Sequence, residues 1–444
     1  MSDYGVENGK MNNSFILVNP SDEYIDEIRN FRQEFIDRNE FLHGDTGLGN
    51  CENPQEWVEK CRLMEHKDTL PHPEWAESTQ YMLVIKGERK IYGVIDLRHY
   101  LTDYLKKTYG HIGYCIRPTD RRKGYAKKML LLCLEKCRER GLIKVLISCD
   151  KDNGASRRTI ISCGGIFECT TMDDGVILER YWITLREVKM IVTDLDGTLL
   201  RTDKTISEFT IRTLGKLREK NILLAFATSR STRASVRFRN MITPDINITS
   251  GGAIAEMKGK TLFRAAIDIE IAASIIRDLK ASDAVLQITV DTEEFYFNSK
   301  PVDISLAEWI DYRDSVTTDF SQALPVPDVF KITPSVVSAE AVQAIAAKYP
   351  EVDVLNFTGE DWYQIKSTKA AKQHAIASVC TQLGISMSAT VAFGDDYNDV
   401  EMLRECGAGV AVANAINEVK SNANCICDAN DNDGVAKWLE ENVL

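Results

Sequence analysis

VKMIVTDLDGTLL, residues 188–200, begins as an apolar run and ends in two aspartates and a glycine. An almost unbroken apolar run suits a strand of a parallel sheet covered on both faces. Polar residues just past such a strand lie where open α/β sheets bind ligands. Asp194 ends the strand, and Asp196 follows in a turn for which Gly197 supplies backbone freedom. Two carboxylates at this spacing can divide the work of phosphoryl transfer. One attacks phosphorus and becomes an aspartyl phosphate. The other protonates the leaving oxygen and then deprotonates the hydrolytic water. The competing reading is a calcium loop starting at Asp194, which wants Glu at its twelfth position. Thr205 stands there, and a strand precedes the turn where a helix would be needed.

Two further segments share this rhythm, ILLAFATSR (222–230) and ATVAFGDDYND (389–399), and a fourth, KAAKQHAIASVCTQLGI (369–385), reads as a helix. Thr228 ends the first, where its hydroxyl and the N–H of Ser229 can hold a phosphate oxygen. Lys372 sits on an amphipathic helix, and its charge would offset that of nucleophile and phosphate. Asp395 opens an acidic loop. Magnesium prefers oxygen ligands in an octahedron and keeps several waters, and Asp194, Asp395 and the carbonyl of Asp196 offer three oxygens. Taken singly, a threonine at a strand end and a lysine on a helix are ordinary structural residues. The four segments together carry the reading.

DLDGTLL, FATSR, Lys372 and GDDYNDVEML resemble the four motifs of the haloacid dehalogenase (HAD) superfamily, most closely the Cof-type sugar-phosphate phosphatases, over all of 188–444. The resemblance implies Asp194 as nucleophile and Asp196 as acid/base, with Lys372 completing the catalytic set. It implies Leu195, Thr228, Ser229, Lys372 and Asn398 around the substrate phosphate. It implies magnesium at Asp194, Asp196 and Asp395, with Asp399 in support. Asn414 matches the family's asparagine after the last core strand. Ser229 replaces a usual glycine, and Gly251 stands where Cof-type proteins often carry asparagine. The expected architecture is a Rossmann-like, doubly wound parallel-sheet core (187–267 and 359–444) with an inserted α+β cap over about 268–358. Spacing locates the cap, because the stretch from Thr228 to Lys372 has room for roughly 90 extra residues and that from Asp194 to Thr228 has none. VLQITV, EFYFN, DVFKIT and AEAVQAIAAKY are its expected elements. A lid of this kind excludes water and reads the leaving group.

Residues 1–186 form a separate expected domain. GHIGYCIRPTDRRKGYAKKMLLLCLEKCRERG (110–141) runs from a strand through Arg121, Arg122, Lys123, Gly124, Tyr125 and Ala126 into a helix. N–H groups at a helix start cradle phosphates, Gly124 permits close approach, and basic side chains add counter-charge. With KVLISCD (144–150) and NGASRRTIISCGGIFE (153–168), this resembles the GNAT superfamily of acetyl-CoA-dependent N-acyltransferases over about 14–185. The resemblance implies an α+β mixed-sheet domain. It places Arg121 through Ala126 on the CoA pyrophosphate, Tyr114–Ile116 along pantetheine, and Asn153 and Ser156 on the cofactor side. His111 stands where relatives carry a glutamate base, and can act as a base or as a structural histidine. Ile160 replaces the tyrosine often used as general acid. Trp57, Trp75 and Arg98 are candidates for the acceptor pocket.

The bulk composition agrees with this reading. The chain has 444 residues, 44% apolar and 27% charged, with net charge −12. That length calls for two or three domains, and the negative balance argues against nucleic acid as a partner. No apolar run is long enough to cross a bilayer. MSDYGVENGK (1–10) lacks a signal sequence, and the 12 cysteines show no paired framework. The expectation is a cytoplasmic bifunctional enzyme that hydrolyses a small phosphomonoester with magnesium and acetylates a small amine with acetyl-CoA. The alternative for the first half is a non-catalytic acetyl-CoA sensor. The oligomeric state is left open.

Overall fold

The computed structural model describes residues 14–292, 295–301, 315–356 and 361–444. The N-terminal stretch read for a signal lies outside them. The chain divides into two compact units, Met1–Arg186 and Glu187–Leu444.

In the first unit, Phe15–Val18, Ser78–Ile85, Gly93–Arg98 and Ile112–Ile116 form a four-stranded antiparallel sheet in that order. Lys144–Asp150, Val176–Thr184 and Ile166–Asp173 form a second antiparallel sheet, also in that order. Helix Tyr125–Glu139 connects the two sheets. Its buried residues Met129, Leu130, Cys133, Leu134 and Cys137 recur every three or four positions, as a one-faced helix requires. They pack with Ile95, Leu97, Val145 and Ile147.

The α+β reading of this unit holds, with its strands divided between two sheets. Among the described residues Ile112–Ile116 and Lys144–Asp150 form no ladder, and the chain joins them at the antiparallel bridge Gly110–Ile147. At that junction the His111 N–H donates to the Leu146 carbonyl at 2.7 Å, and its Nδ1 accepts the N–H of Leu146 at 2.9 Å.

The second unit is built on an eight-stranded sheet. Its order is Lys260–Arg264, Ile254–Met257, Ile246–Thr249, Leu223–Ala227, Met190–Thr193, Thr390–Gly394, Ala408–Val412, Cys425–Cys427. The six strands from Ile246–Thr249 onward are parallel, and an antiparallel hairpin ends the sheet at the other edge. The run MIVT is buried at every residue, as expected for a strand covered on both sides. Chain order reverses on either side of Met190–Thr193, which creates the crevice where such sheets hold ligands.

Between the halves of this core lies a six-stranded cap sheet. Its order is Ser315–Thr317, Tyr296–Asn298, Val285–Asp291, Lys331–Val336, Tyr363–Ser367, Val352–Asn356. Helices Ile269–Lys280 and Ala339–Ala346 cover one face, where Ile275, Leu279 and Val342 pack on Ile288, Val290, Ile332 and Ile365. The expected return to the core at 359 needs correction. Residues 357–360 lie outside the described residues, and Tyr363–Ser367 still pairs with Val352–Asn356. YQIKS alternates as a half-buried strand does. Ile365 enters the cap's apolar core while Gln364 and Lys366 fall on the opposite face, so the cap runs to Ser367.

Candidate functional site

Asp194, Thr228 and Asp395 each follow one of three adjacent parallel strands, so the sheet alone brings them to one edge. Lys372 opens helix Lys372–Leu383 and is buried there. Its Nζ lies 2.6 Å from Asp194 and 2.6 Å from Asp399. Asp399 Oδ2 accepts the N–H groups of Asp395 (3.0 Å) and Asp396 (3.2 Å). Asp399 therefore fixes both the lysine and the acidic loop. Thr198 donates to Asp395 at 2.6 Å. Gly197 has φ +78°, and a Cβ there would stand 2.3 Å from an Asp395 oxygen, so the turn must carry glycine. Asn414 donates to the Gly197 carbonyl at 2.7 Å and thereby holds the same turn.

Carboxylate oxygens of Asp194, Asp395 and Asp399 lie within 4.8 Å of one another. One ammonium cannot neutralise three such groups. Burial, followed by the neighbouring carboxylates, drives the Asp194 carboxyl well up despite Lys372. Burial and Asp399 push Asp395 to about 7. Burial works against the charge on Lys372, but Asp194 and Asp399 outweigh it and keep the ammonium protonated. A cluster of hard oxygen donors with surplus negative charge fits a magnesium ion. Asp196 does not join it through its carboxylate.

Asp196 instead meets Arg230, whose Nε is 2.5 Å from one oxygen and whose Nη2 is 2.8 Å from the other. Lys204 adds a contact of 2.8 Å. Burial alone would raise the Asp196 carboxyl, but Arg230 and then Lys204 overcome it and hold the group below the ordinary range. At rest it is held ionised. Arg230 was missed in the sequence reading although it ends the quoted FATSR. A fork-shaped cation one residue beyond Thr228 and Ser229 was the available signal.

The phosphate set also converges. Asn398 donates to Ser229 Oγ at 2.6 Å, and the Arg230 N–H donates to Thr228 Oγ1 at 3.1 Å. Leu195 is buried, and its carbonyl accepts the N–H groups of Leu199 and Leu200.

In the first unit, Arg122 (φ +61°) and Gly124 (φ +82°) shape the turn before helix Tyr125–Glu139, whose first turn has no side-chain cap. Those N–H groups remain available for a phosphate. Two of the three expected counter-charges are already engaged. Arg121 pairs with Glu40 at 2.5 Å and its Nε donates to the Ile116 carbonyl at 3.3 Å, while Lys123 pairs with Asp120 at 2.7 Å. The Tyr125 ring packs on Phe15 and Tyr92, and Ala126 joins the same core. Tyr114 and Ser156 are hydrogen-bonded to each other at 3.0 Å, and Asn153 caps the helix Gly154–Ser162. Ile160 is core.

His111 needs a second correction. Burial holds its pKa at about 3, helped by the nearby Arg98, and its Nδ1 is committed to Leu146. The ring is therefore neutral and structural, and a general-base role does not follow.

A cavity of about 620 Å³ in this unit is lined by Thr46, Trp75, Asp96, Arg98, Asp103 and Tyr104 among others. Trp75 and Arg98 are where the sequence reading puts the acceptor pocket. Trp57 is fully buried instead, with its indole N–H on the Asp45 carbonyl at 2.7 Å. Asp96, not singled out from the sequence, is buried in the strand GVIDLR, and burial raises its carboxyl although Arg98 Nε lies 3.3 Å away. An acid interrupting an apolar strand was the available signal.

A family model for haloacid dehalogenase-like hydrolases matches residues 191–439, and one for the acetyltransferase (GNAT) domain matches residues 15–166. Among curated relatives, the Bacillus subtilis 5-amino-6-(5-phospho-D-ribitylamino)uracil phosphatase YitU is 27% identical over 275 residues, covering 57% of this chain and 96% of that protein. A phosphoglycolate phosphatase of Methanopyrus kandleri is 25% identical over 258 residues, again covering 57% and 96%. A solved subclass IIB sugar phosphatase of the HAD superfamily aligns with TM-score 0.50 at 24% identity, covering 57% of this chain and 98% of that one. A haloacid dehalogenase-like hydrolase from Bacillus subtilis aligns with TM-score 0.51 at 23% identity, covering 58% and 100%. These last two speak to fold alone. No helix among the described residues is long and apolar enough to cross a membrane.

Proposed function

Since the chain belongs to the haloacid dehalogenase-like hydrolases and carries a GNAT acetyltransferase domain ahead of that phosphatase, we propose that it hydrolyses a small phosphomonoester through a phosphoaspartate and acetylates a small amine. The observation that carries the phosphatase reading is the buried Lys372 ammonium, 2.6 Å from both Asp194 and Asp399 at the meeting of the strand ends. It holds Asp194 in place and opposes charge that builds up at phosphorus. Asp194 attacks phosphorus, and the leaving oxygen departs with a proton from Asp196. Asp196 then takes a proton from the water that cleaves the phosphoaspartate. To donate, Asp196 must gain a proton and loosen from Arg230. Held at Asp194, Asp395 and the Asp196 carbonyl, magnesium would supply further positive charge to the phosphate oxygens. The curated phosphatase relatives, named for small phosphorylated metabolites, support a substrate of that size. Twelve free thiols support a reducing, cytoplasmic setting.

A screen of phosphomonoesters with magnesium tests this reading, and no turnover of any ester would overturn it. The metal site has its own signature. Asp395 is protonated more readily in the folded chain than in an unfolded one, so the folded state binds the extra proton. Without divalent cation, stability is therefore expected to fall as pH rises from about 4 to about 7. Magnesium should flatten that slope, as thermal melts across pH would show; an identical slope with magnesium would count against the site.

For the first unit, the uncapped helix start supports an acetyl-CoA site, and we assign Asp96 rather than His111 to removing the amine's proton. Gly124→Glu should raise the acetyl-CoA Kd at least about tenfold, because it puts a carboxylate into open space beside the phosphate-binding turn. Asp96→Asn should leave that Kd near wild type and lower acetyl transfer about 100-fold or more. Calorimetry and a transfer assay over an amine panel separate the two effects. Binding without turnover on any amine would favour the sensor instead.

A further inference from the structure

The cap's polar face bears directly on the catalytic loops. Lys331 Nζ donates to the Ser229 carbonyl at 3.1 Å, and Lys366 Nζ donates to the Gly251 carbonyl at 3.0 Å. Lys331 has a carboxylate partner, Asp291, at 2.9 Å. Lys366 has none among the described residues. Asp353, its cross-strand neighbour, is exposed and makes no ion pair with it. Lys366 is only 5% exposed. Two residues away on the same face, Gln364 is 3% exposed, and its Nε2 has no hydrogen-bond partner among the described residues.

A buried cation without a counter-charge and a buried amide donor without an acceptor each cost free energy. Both side chains converge on Gly251. A Cβ there would stand 2.4 Å from Gln364 Nε2 and 3.4 Å from Lys366 Nζ. Glycine at 251, where Cof-type proteins often carry asparagine, lets these two donors come up against the backbone where a side chain would otherwise stand. The Gly251 N–H bonds to the Thr228 carbonyl at 3.0 Å, so the spot adjoins the phosphate-holding loop. Burial and then Lys372 bring the Lys366 ammonium down to about 8, with Asp353 partly opposing them and Lys331 adding to them.

We propose that Lys366 and the Gln364 amide bind a second anionic group, a carboxylate or another phosphate, on the leaving group of the phosphomonoester. The proposal rests on the phosphatase reading of the site. It makes the preferred substrate a doubly anionic molecule and gives the cap a charge-based means of selection.

The test uses the full-length chain with magnesium and matched ester pairs: 2-phosphoglycolate against 2-hydroxyethyl phosphate, and fructose 1,6-bisphosphate against fructose 6-phosphate. p-Nitrophenyl phosphate serves as a generic substrate. In at least one pair, the doubly anionic member is expected to show kcat/KM at least about tenfold higher. Lys366→Met should bring that ratio toward one, mainly by raising KM for the doubly anionic member. Gly251→Asn, which puts a side chain into the same space, should do likewise. Lys366→Met removes an uncompensated buried charge, so the ligand-free variant should melt no lower than wild type. A wild-type ratio near one in both pairs overturns the proposal, as does a ratio that Lys366→Met leaves intact. Failure to hydrolyse even p-nitrophenyl phosphate would instead overturn the phosphatase reading.

Discussion

Asp194→Asn is expected to lower phosphate hydrolysis on the order of 10⁴- to 10⁶-fold, because an amide cannot form the phosphoaspartate and a lost nucleophile costs that much elsewhere. The fold should survive. Asn occupies almost the same volume, and Lys372 keeps its contact with Asp399 at 2.6 Å. Stability at pH 7 should even rise slightly without divalent cation. The Asp194 carboxyl sits well above its ordinary pKa in the folded chain, so its ionised form opposes folding as pH rises. Kinetics and a thermal melt on the same preparation check both statements. Activity near wild type would remove Asp194 from its role, and a large drop in melting temperature would point to damaged packing.

Lys372→Met should act in the opposite sense on stability. It leaves the Asp194 and Asp399 carboxylates buried without their shared cation, a change that costs about 3–5 kcal/mol in comparable settings. For a domain of this size that is roughly 6–20 °C in Tm. Hydrolysis should fall with it, since the phosphate loses a fixed positive charge. The stability loss should shrink as pH falls toward 5, because a protonated carboxyl no longer needs the lysine. Adding Asp194→Asn to Lys372→Met should recover part of the melting temperature. Losses that simply add would mean the two side chains are not coupled.

The phosphatase half was legible because its chemistry sits at strand ends. An apolar run that stops at a polar residue marks both the strand and the edge where ligands collect, and Asp194, Thr228 and Asp395 follow three such runs. Other features depend on tertiary contacts and left weaker traces. The position of His111 could be read, but its task could not, because that depends on the N–H of Leu146 from a different strand. The cap boundary was set too early because YQIKS sits close to the motif lysine and reads as the approach to the core. Its alternation, with Ile365 inward and Gln364 and Lys366 outward, was the overlooked sign of one more cap strand. Arg230 stood inside a recognised segment, yet its partner Asp196 is 34 residues away in the chain, and only the fold joins them.

The turn that carries the nucleophile is braced from far along the chain. Asn414 bonds to Gly197, Asn430 to Leu200, Asp431 to Thr202 and Asp433 to Arg201. The last of these pairs spans 232 residues. At about 5–20 residues per second, a ribosome needs roughly 10–50 s to cover that distance. The GNAT unit can therefore fold while the polypeptide is still being made. The hydrolase unit cannot close its braced turn until the C-terminal contacts are made, so the two units of one chain reach their folded forms at different moments of synthesis.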